Sequence, residues 1–200
     1  MATVAEADRR VAAVVLAAGS ARRFGGGKLL ATWRGAPLLH GALAAARASS
    51  AGSIVVVTGA DAEAVGASAR AFDPTIRLAH AADHDEGMAA SLRAGLGSLG
   101  EEVDVALVFL GDMPRVPHQV LAPITATVLA GASAAAPVFA GRRGNPVALS
   151  RSLFPAAMAL SGDTGARPLL QGLGERLSLV EAPDDGVLFD VDEAADLSRD

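Results

Sequence analysis

Four short runs, "VAAVVLA" at 11–17, "SIVVVTG" at 53–59, "IRLAH" at 76–80 and "VDVALVFLG" at 103–111, are almost unbroken in apolar and β-branched residues. A strand with one face in water alternates polar and apolar side chains, so runs without alternation belong to strands buried on both faces, as in a parallel sheet covered by helices. The intervening segments supply the helices. "PLLHGALAAARAS" carries Pro37 where a first helical turn tolerates it, "DAEAVGASARAF" offers Asp61 as an N-cap, and "GMAASLRAGLGSL" has apolar residues at helical spacing. The expected fold is α/β: a single doubly wound, mostly parallel, Rossmann-like sheet with helices on both faces.

After residue 130 the rhythm changes. "ASAAAPVF" and "NPVALS" read as strands flanking the turn "AGRRG", followed by a helix in "SRSLFPAAMAL", a loop in "SGDTGARPLL" and the closing "LFDVDEAADL". This reads as a mixed C-terminal extension of the same sheet. No composition break marks a linker, so one domain over 11–200 with a tail at 1–10 is expected.

Composition narrows the function. A net charge of -5 argues against a nucleic-acid-binding surface. The absence of cysteine excludes disulfides, thiolate nucleophiles and Cys-ligated zinc, and fits a reducing, cytoplasmic location. No apolar stretch is clean enough over ~20 residues to span a membrane.

The loop after the first strand, "VVLAAGSARRFGGGKLL", ends in Gly-Lys and resembles a phosphate loop. A Walker loop with Lys28 as its lysine needs glycine at 22 and a hydroxyl at 29; the chain has Arg22 and Leu29. A dinucleotide fingerprint starting at Gly19 needs glycines at 21 and 24; the chain has Ala21 and Phe24. Neither template fits. Open parallel sheets bind ligands at the carboxyl ends of strands where strand order reverses, which brings this loop to "LGDMP" at 110–114. A carboxylate beside a phosphate loop calls for a cation between them, and Mg²⁺ is held by one or two carboxylates plus substrate phosphates. Asp112 is therefore the leading metal ligand. In "FDVDEAADL", Asp190 and Asp192 would share a face of a strand; Asp190 is the second ligand candidate and Asp192 a candidate N-cap.

With these residues in view, the chain resembles the MobA-like nucleotidyltransferases, and among them the molybdenum cofactor cytidylyltransferases. The resemblance rests on "LAAGSARRFGGGKLLATWRGAPLL", "EGMAASLRAGL", "LGDMP", "GRRGNPVALS", "LSGDTGARPLL" and "DVDEAADL", in order along nearly the whole chain. It implies transfer of a nucleoside monophosphate, CMP from CTP, to a phosphorylated acceptor such as the molybdopterin cofactor, with release of pyrophosphate and with Mg²⁺ as cofactor. A molybdenum hydroxylase or its chaperone is an implied partner. Carried over by position, Leu16, Ala17, Ala18 and Gly19 line base and ribose with backbone groups. Arg22 and Lys28 meet the triphosphate, and Gly111 and Asp112 approach nucleotide and metal. Ser91 and Arg93 lie on the nucleotide side, and Arg143 and Asn145 where the acceptor enters. Relatives using GTP resemble "LAGG" where this chain has "LAAG", and a methyl at Ala18 beside the base favours the smaller cytosine. A guanylyltransferase, a redox enzyme on the same fold and a cofactor-binding chaperone are the alternatives.

Overall fold

The computed structural model describes residues 10–21 and 24–198. Its spine is β1 (Val11–Ala17), in parallel register with β4 (Ser53–Thr58) on one side and β6 (Val105–Leu110) on the other. β5 (Arg77–His80) continues the parallel sheet beyond β4. On the far side of β6 the sheet becomes mixed. β9 (Val147–Ser150) runs antiparallel to β6, β7 (Ala134–Phe139) antiparallel to β9, and β10 (Leu177–Glu181) parallel to β7 at the edge. The short β8 (Arg142–Arg143) folds back on β7. The result is the expected Rossmann-like α/β sheet, and strand order reverses between β1 and β6.

Alternation along each strand assigns side chains to two layers. Val11, Ala13 and Val15 of β1 and Leu107 and Phe109 of β6 share a core with Leu39 and Leu43 of α1 (Leu39–Ala48). The same layer takes Val65 of α2 (Ala62–Phe72) and Ile124 of α4 (Leu121–Leu129). On the other face, Ala106 and Val108 of β6 join Leu92 and Leu96 of α3 (Met88–Gly97). Phe154 of α5 (Phe154–Met158) and Leu170 of α6 (Arg167–Leu173) complete that layer. For β1, β4 and β6 the runs without alternation are thus runs with a helix layer on each side; "IRLAH" is the exception, since β5 is an edge strand whose residues are exposed or only partly buried. No helix among the described residues is long and apolar enough to cross a membrane.

Four local expectations are corrected. Pro37 is not in a helix: it pairs with Thr32 in a hairpin of β2 (Thr32–Trp33) and β3 (Ala36–Pro37), and α1 starts at Leu39. The two turn residues, Arg34 and Gly35, both have positive φ (48° and 85°), as a two-residue hairpin loop matched to strand twist requires. The segment read as a loop ends in α6, with Pro168 in its first turn. The edge strand β10 carries little apolar signal because most of its residues are only partly buried. Finally, 189–193 is extended but pairs as no strand, and the turn Ala194–Ser198 is a 3₁₀ helix. Asp192 does not cap that turn: the Asp196 carboxylate accepts from the Asp192 and Glu193 amides, at 3.0 and 2.9 Å. Asp61 does occupy the N-cap position of α2, its carbonyl accepting from the Val65 amide at 2.9 Å, without a side-chain bond.

Candidate active site

The carboxyl ends of β1 and β6 meet because the Gly111 amide donates to the Leu16 carbonyl at 2.9 Å. A side chain at 111 would be crowded there, since its Cβ would stand 3.0 Å from that same oxygen. Gly111 thereby turns Asp112 toward the loop that follows β1. In that loop Gly25, Gly26 and Gly27 all have positive φ, and Gly27 leads directly into a 3₁₀ turn at Lys28–Leu30. This turn delivers Lys28. Its Nζ lies 2.7 Å from Asp112 Oδ2 and 3.9 Å from Asp192 Oδ1, and its side chain is only 12% exposed.

The third carboxylate arrives from the far end of the chain. The Val191 amide donates to the Asp112 carbonyl at 3.1 Å, tying 190–192 to the Gly-Asp turn. Buried Val191, Trp33 and Leu38, with Phe24, Phe189 and Leu197 packed against them, fasten this segment to the hairpin beyond Lys28. The Trp33 and Phe189 ring centroids are 5.6 Å apart. Asp190 is exposed at the surface but crowded by its neighbours. Loss of water on its crowded side, followed by the charges of Asp112 and Asp192, pushes its carboxyl above the usual aspartate value of 3.8. Such mutual repulsion is what a divalent cation relieves. Among the described residues no group of three or more His, Cys, Asp and Glu is arranged to hold a metal. One or two of these carboxylates could hold a cation only if its remaining oxygens came from water or a bound molecule.

The Asp190 shift has a definite sign. A raised folded-state pKa means the folded form holds its proton longer, so this carboxyl weakens the fold as pH rises from the unfolded value through the folded one. In metal-free solution Asp190→Asn is therefore expected to be more stable than wild type at neutral pH and equal to it well below the ordinary aspartate value. Urea titrations from acid to neutral pH check this; a variant that is less stable at neutral pH would refute the crowding described here.

Other sequence-nominated residues fall unevenly around this centre. Arg22 lies outside the described residues. Leu16, Arg143 and Asn145 line a cleft of about 230 Å³ that also opens on Leu110, Thr164 and Arg167. Gly19 is exposed with open space at its α-carbon. The carbonyls of Leu16 and Ala18 are already engaged, by the amides of Gly111 and Ala60. Ala17 is buried in the core. The Ala18 methyl does not face a ligand: it is 2% exposed and packed where a Cβ on Gly59 would come within 2.7 Å. The steric argument for cytosine from this methyl therefore has no footing. Ser91 is buried in α3. Arg93 is committed elsewhere, donating to the Leu160 carbonyl at 2.7 Å and to Glu86 at 3.1 Å. Sequence reasoning missed Arg167, although the motif that contains it was noted.

Comparison with known proteins agrees with this fold. Over 197 residues, 94% of this chain and 95% of the relative, the sequence is 30% identical to nicotine blue oxidoreductase of Paenarthrobacter nicotinovorans. The crystal structure of Rv0371c from Mycobacterium tuberculosis superposes with a TM-score of 0.83 at 29% identity, covering 95% of this chain and 96% of that one. A manganese complex of Rv0371c matches at 0.71 and 27%, over 86% and 88% of the two chains. A nucleotidyl transferase from Methanothermobacter matches at 0.79 and 26%, over 95% of each chain. The profile described as MobA-like NTP transferase domain spans residues 13–179, so the chain belongs to the MobA-like NTP transferase family.

Proposed function

We propose that this chain transfers a nucleoside monophosphate, CMP from CTP, to a phosphorylated small-molecule acceptor of the molybdopterin type and releases pyrophosphate. The observation that carries the reading is the cluster of Lys28, Asp112, Asp190 and Asp192 at the carboxyl ends of β1 and β6. An oxygen of the acceptor phosphate forms a bond to the α-phosphorus as the bond to the β-phosphate oxygen breaks. Because the attacking oxygen is already anionic, the reaction needs alignment and charge neutralisation rather than a general base. Lys28 neutralises the triphosphate, and Arg143 and Asn145 stand on the acceptor side. Asp112 and Asp190 would hold a divalent cation, Mg²⁺ in this reading, which supplies charge stabilisation at the phosphates when bound. A structural neighbour, Rv0371c, is known in complex with manganese, which favours a divalent cation as the cofactor. The preference for CTP rests on the resemblance alone.

A second reading has an observation of its own. The relative named nicotine blue oxidoreductase matches over 94% of the chain, so a redox activity on this fold is the competing proposal. Thermal shifts with CTP, GTP, ATP and NADPH, each with and without Mg²⁺, separate the two. A metal-dependent rise in Tm with CTP, together with pyrophosphate release on adding acceptor, is expected. A rise with NADPH alone would overturn the transferase reading, and a rise with GTP but not CTP would overturn the choice of base.

A further inference from the structure

Two arginines face the cleft that opens on Leu110, two residues before Asp112: Arg143 from β8 and Arg167 from the first turn of α6. Among the described residues, no carboxylate stands within ion-pairing distance of either guanidinium. Asp163 lines the same cleft, but one of its oxygens accepts from the Met88 amide at 3.2 Å. Burial, and then the neighbouring charge of Arg167, hold Arg143 below the ordinary arginine value. Arg143 is part-buried and Arg167 exposed, and a part-buried cation beside a like charge is relieved when an anion joins the two.

The segment that carries Arg167 is fixed in place. The Ala89 amide donates to the Gly162 carbonyl at 3.1 Å, and Arg93 holds the Leu160 carbonyl. Gly165, at φ +52°, passes Met88 so closely that a Cβ would lie 2.6 Å from its sulfur. Residues 160–167 are thus laid across the start of α3, and Arg167 leaves this strap toward Arg143. A guanidinium offers a planar fork of donors that matches two oxygens of a phosphate, so two guanidiniums around one cleft suit a dianion with several free oxygens. A phosphate monoester is such a group; a diester or a neutral alcohol is not.

We propose that Arg143 and Arg167 together grip the phosphate monoester of the acceptor, which makes Arg167 a determinant of acceptor specificity. The proposal rests on the nucleotidyltransferase reading above, because it gives the cleft to the acceptor and the Lys28 cluster to the nucleotide. The grip holds the monoester in the cleft beside that cluster, where its oxygen attacks the α-phosphorus.

Inorganic phosphate serves as the probe, titrated calorimetrically into the full chain, alone and with saturating α,β-methylene CTP or GTP plus Mg²⁺. Wild type is expected to bind phosphate in both settings. Arg167→Gln should weaken it about tenfold or more while leaving affinity for the methylene nucleotide unchanged. Arg167→Lys, which keeps the charge without the fork, should recover part of the loss, and its melting curve guards against misfolding as the cause. Phosphate binding in Arg167→Gln equal to wild type would overturn the proposal. Competitive displacement of phosphate by the methylene nucleotide would also overturn it, by giving the anion subsite to the nucleotide's own phosphates. If neither nucleotide binds wild type while phosphate binding still depends on Arg167, the anion grip stands and the nucleotidyltransferase reading falls.

Discussion

Asp112→Asn is expected to lower turnover by about 10²–10³-fold while leaving a folded protein. The substitution keeps the shape of the side chain and removes its charge, so it tests neutralisation rather than packing. Asp112 is part-buried and has Lys28 at 2.7 Å, and its backbone carbonyl, unchanged by the substitution, still accepts from the Val191 amide. The turn after β6 and the docking of 190–192 therefore persist. Lys28 also keeps Asp192 in reach at 3.9 Å, so its charge is not stranded. Pyrophosphate release with CTP and acceptor, alongside circular dichroism, measures both sides of the expectation. Normal turnover in this variant would remove Asp112 from the metal site.

Phe109→Ala is expected to cost about 3–5 kcal/mol of folding stability, a large share of what a domain of this kind has. Phe109 is 1% exposed, sits beside Val15 of β1 in register, and belongs to the larger of the two layers flanking the sheet. Removing the ring deletes its burial and leaves a cavity that a sheet paired on both sides cannot collapse to fill. A lower urea midpoint at unchanged slope would show the loss to be one of native-state stability. A cost below about 1 kcal/mol would mean that the core is not packed as described.

The sheet was legible wherever a strand is buried on both faces. β1, β4 and β6 announce themselves by continuous apolar runs, and their juxtaposition follows from the way a parallel sheet reverses its strand order. Apart from β5, short or exposed elements left no such mark. A hairpin with two residues per strand has no periodicity to detect, and β10 lies half in solvent at an edge. At the site, Lys28 and Asp112 were readable because each follows a readable strand. That Asp196 rather than Asp192 accepts the turn's amides was not, since the segment that carries both is placed by a distant contact, the Val191 amide on the Asp112 carbonyl. Arg93 looked available until its partner, the Leu160 carbonyl, was in view. Arg167 was hidden for the converse reason: two distant arginines meeting across a cleft leave no local pattern.

The packing of Trp33 against Phe189 carries one more consequence. The chain has a single tryptophan, and the fold puts it, 7% exposed, at the seam between the hairpin after Lys28 and the segment bearing Asp190 and Asp192. Its fluorescence is an internal gauge of whether the hairpin and the segment bearing Asp190 and Asp192 are joined. A shift to longer emission wavelength at constant helix content would report that the carboxyl-terminal segment has lifted away while the sheet beneath stays intact.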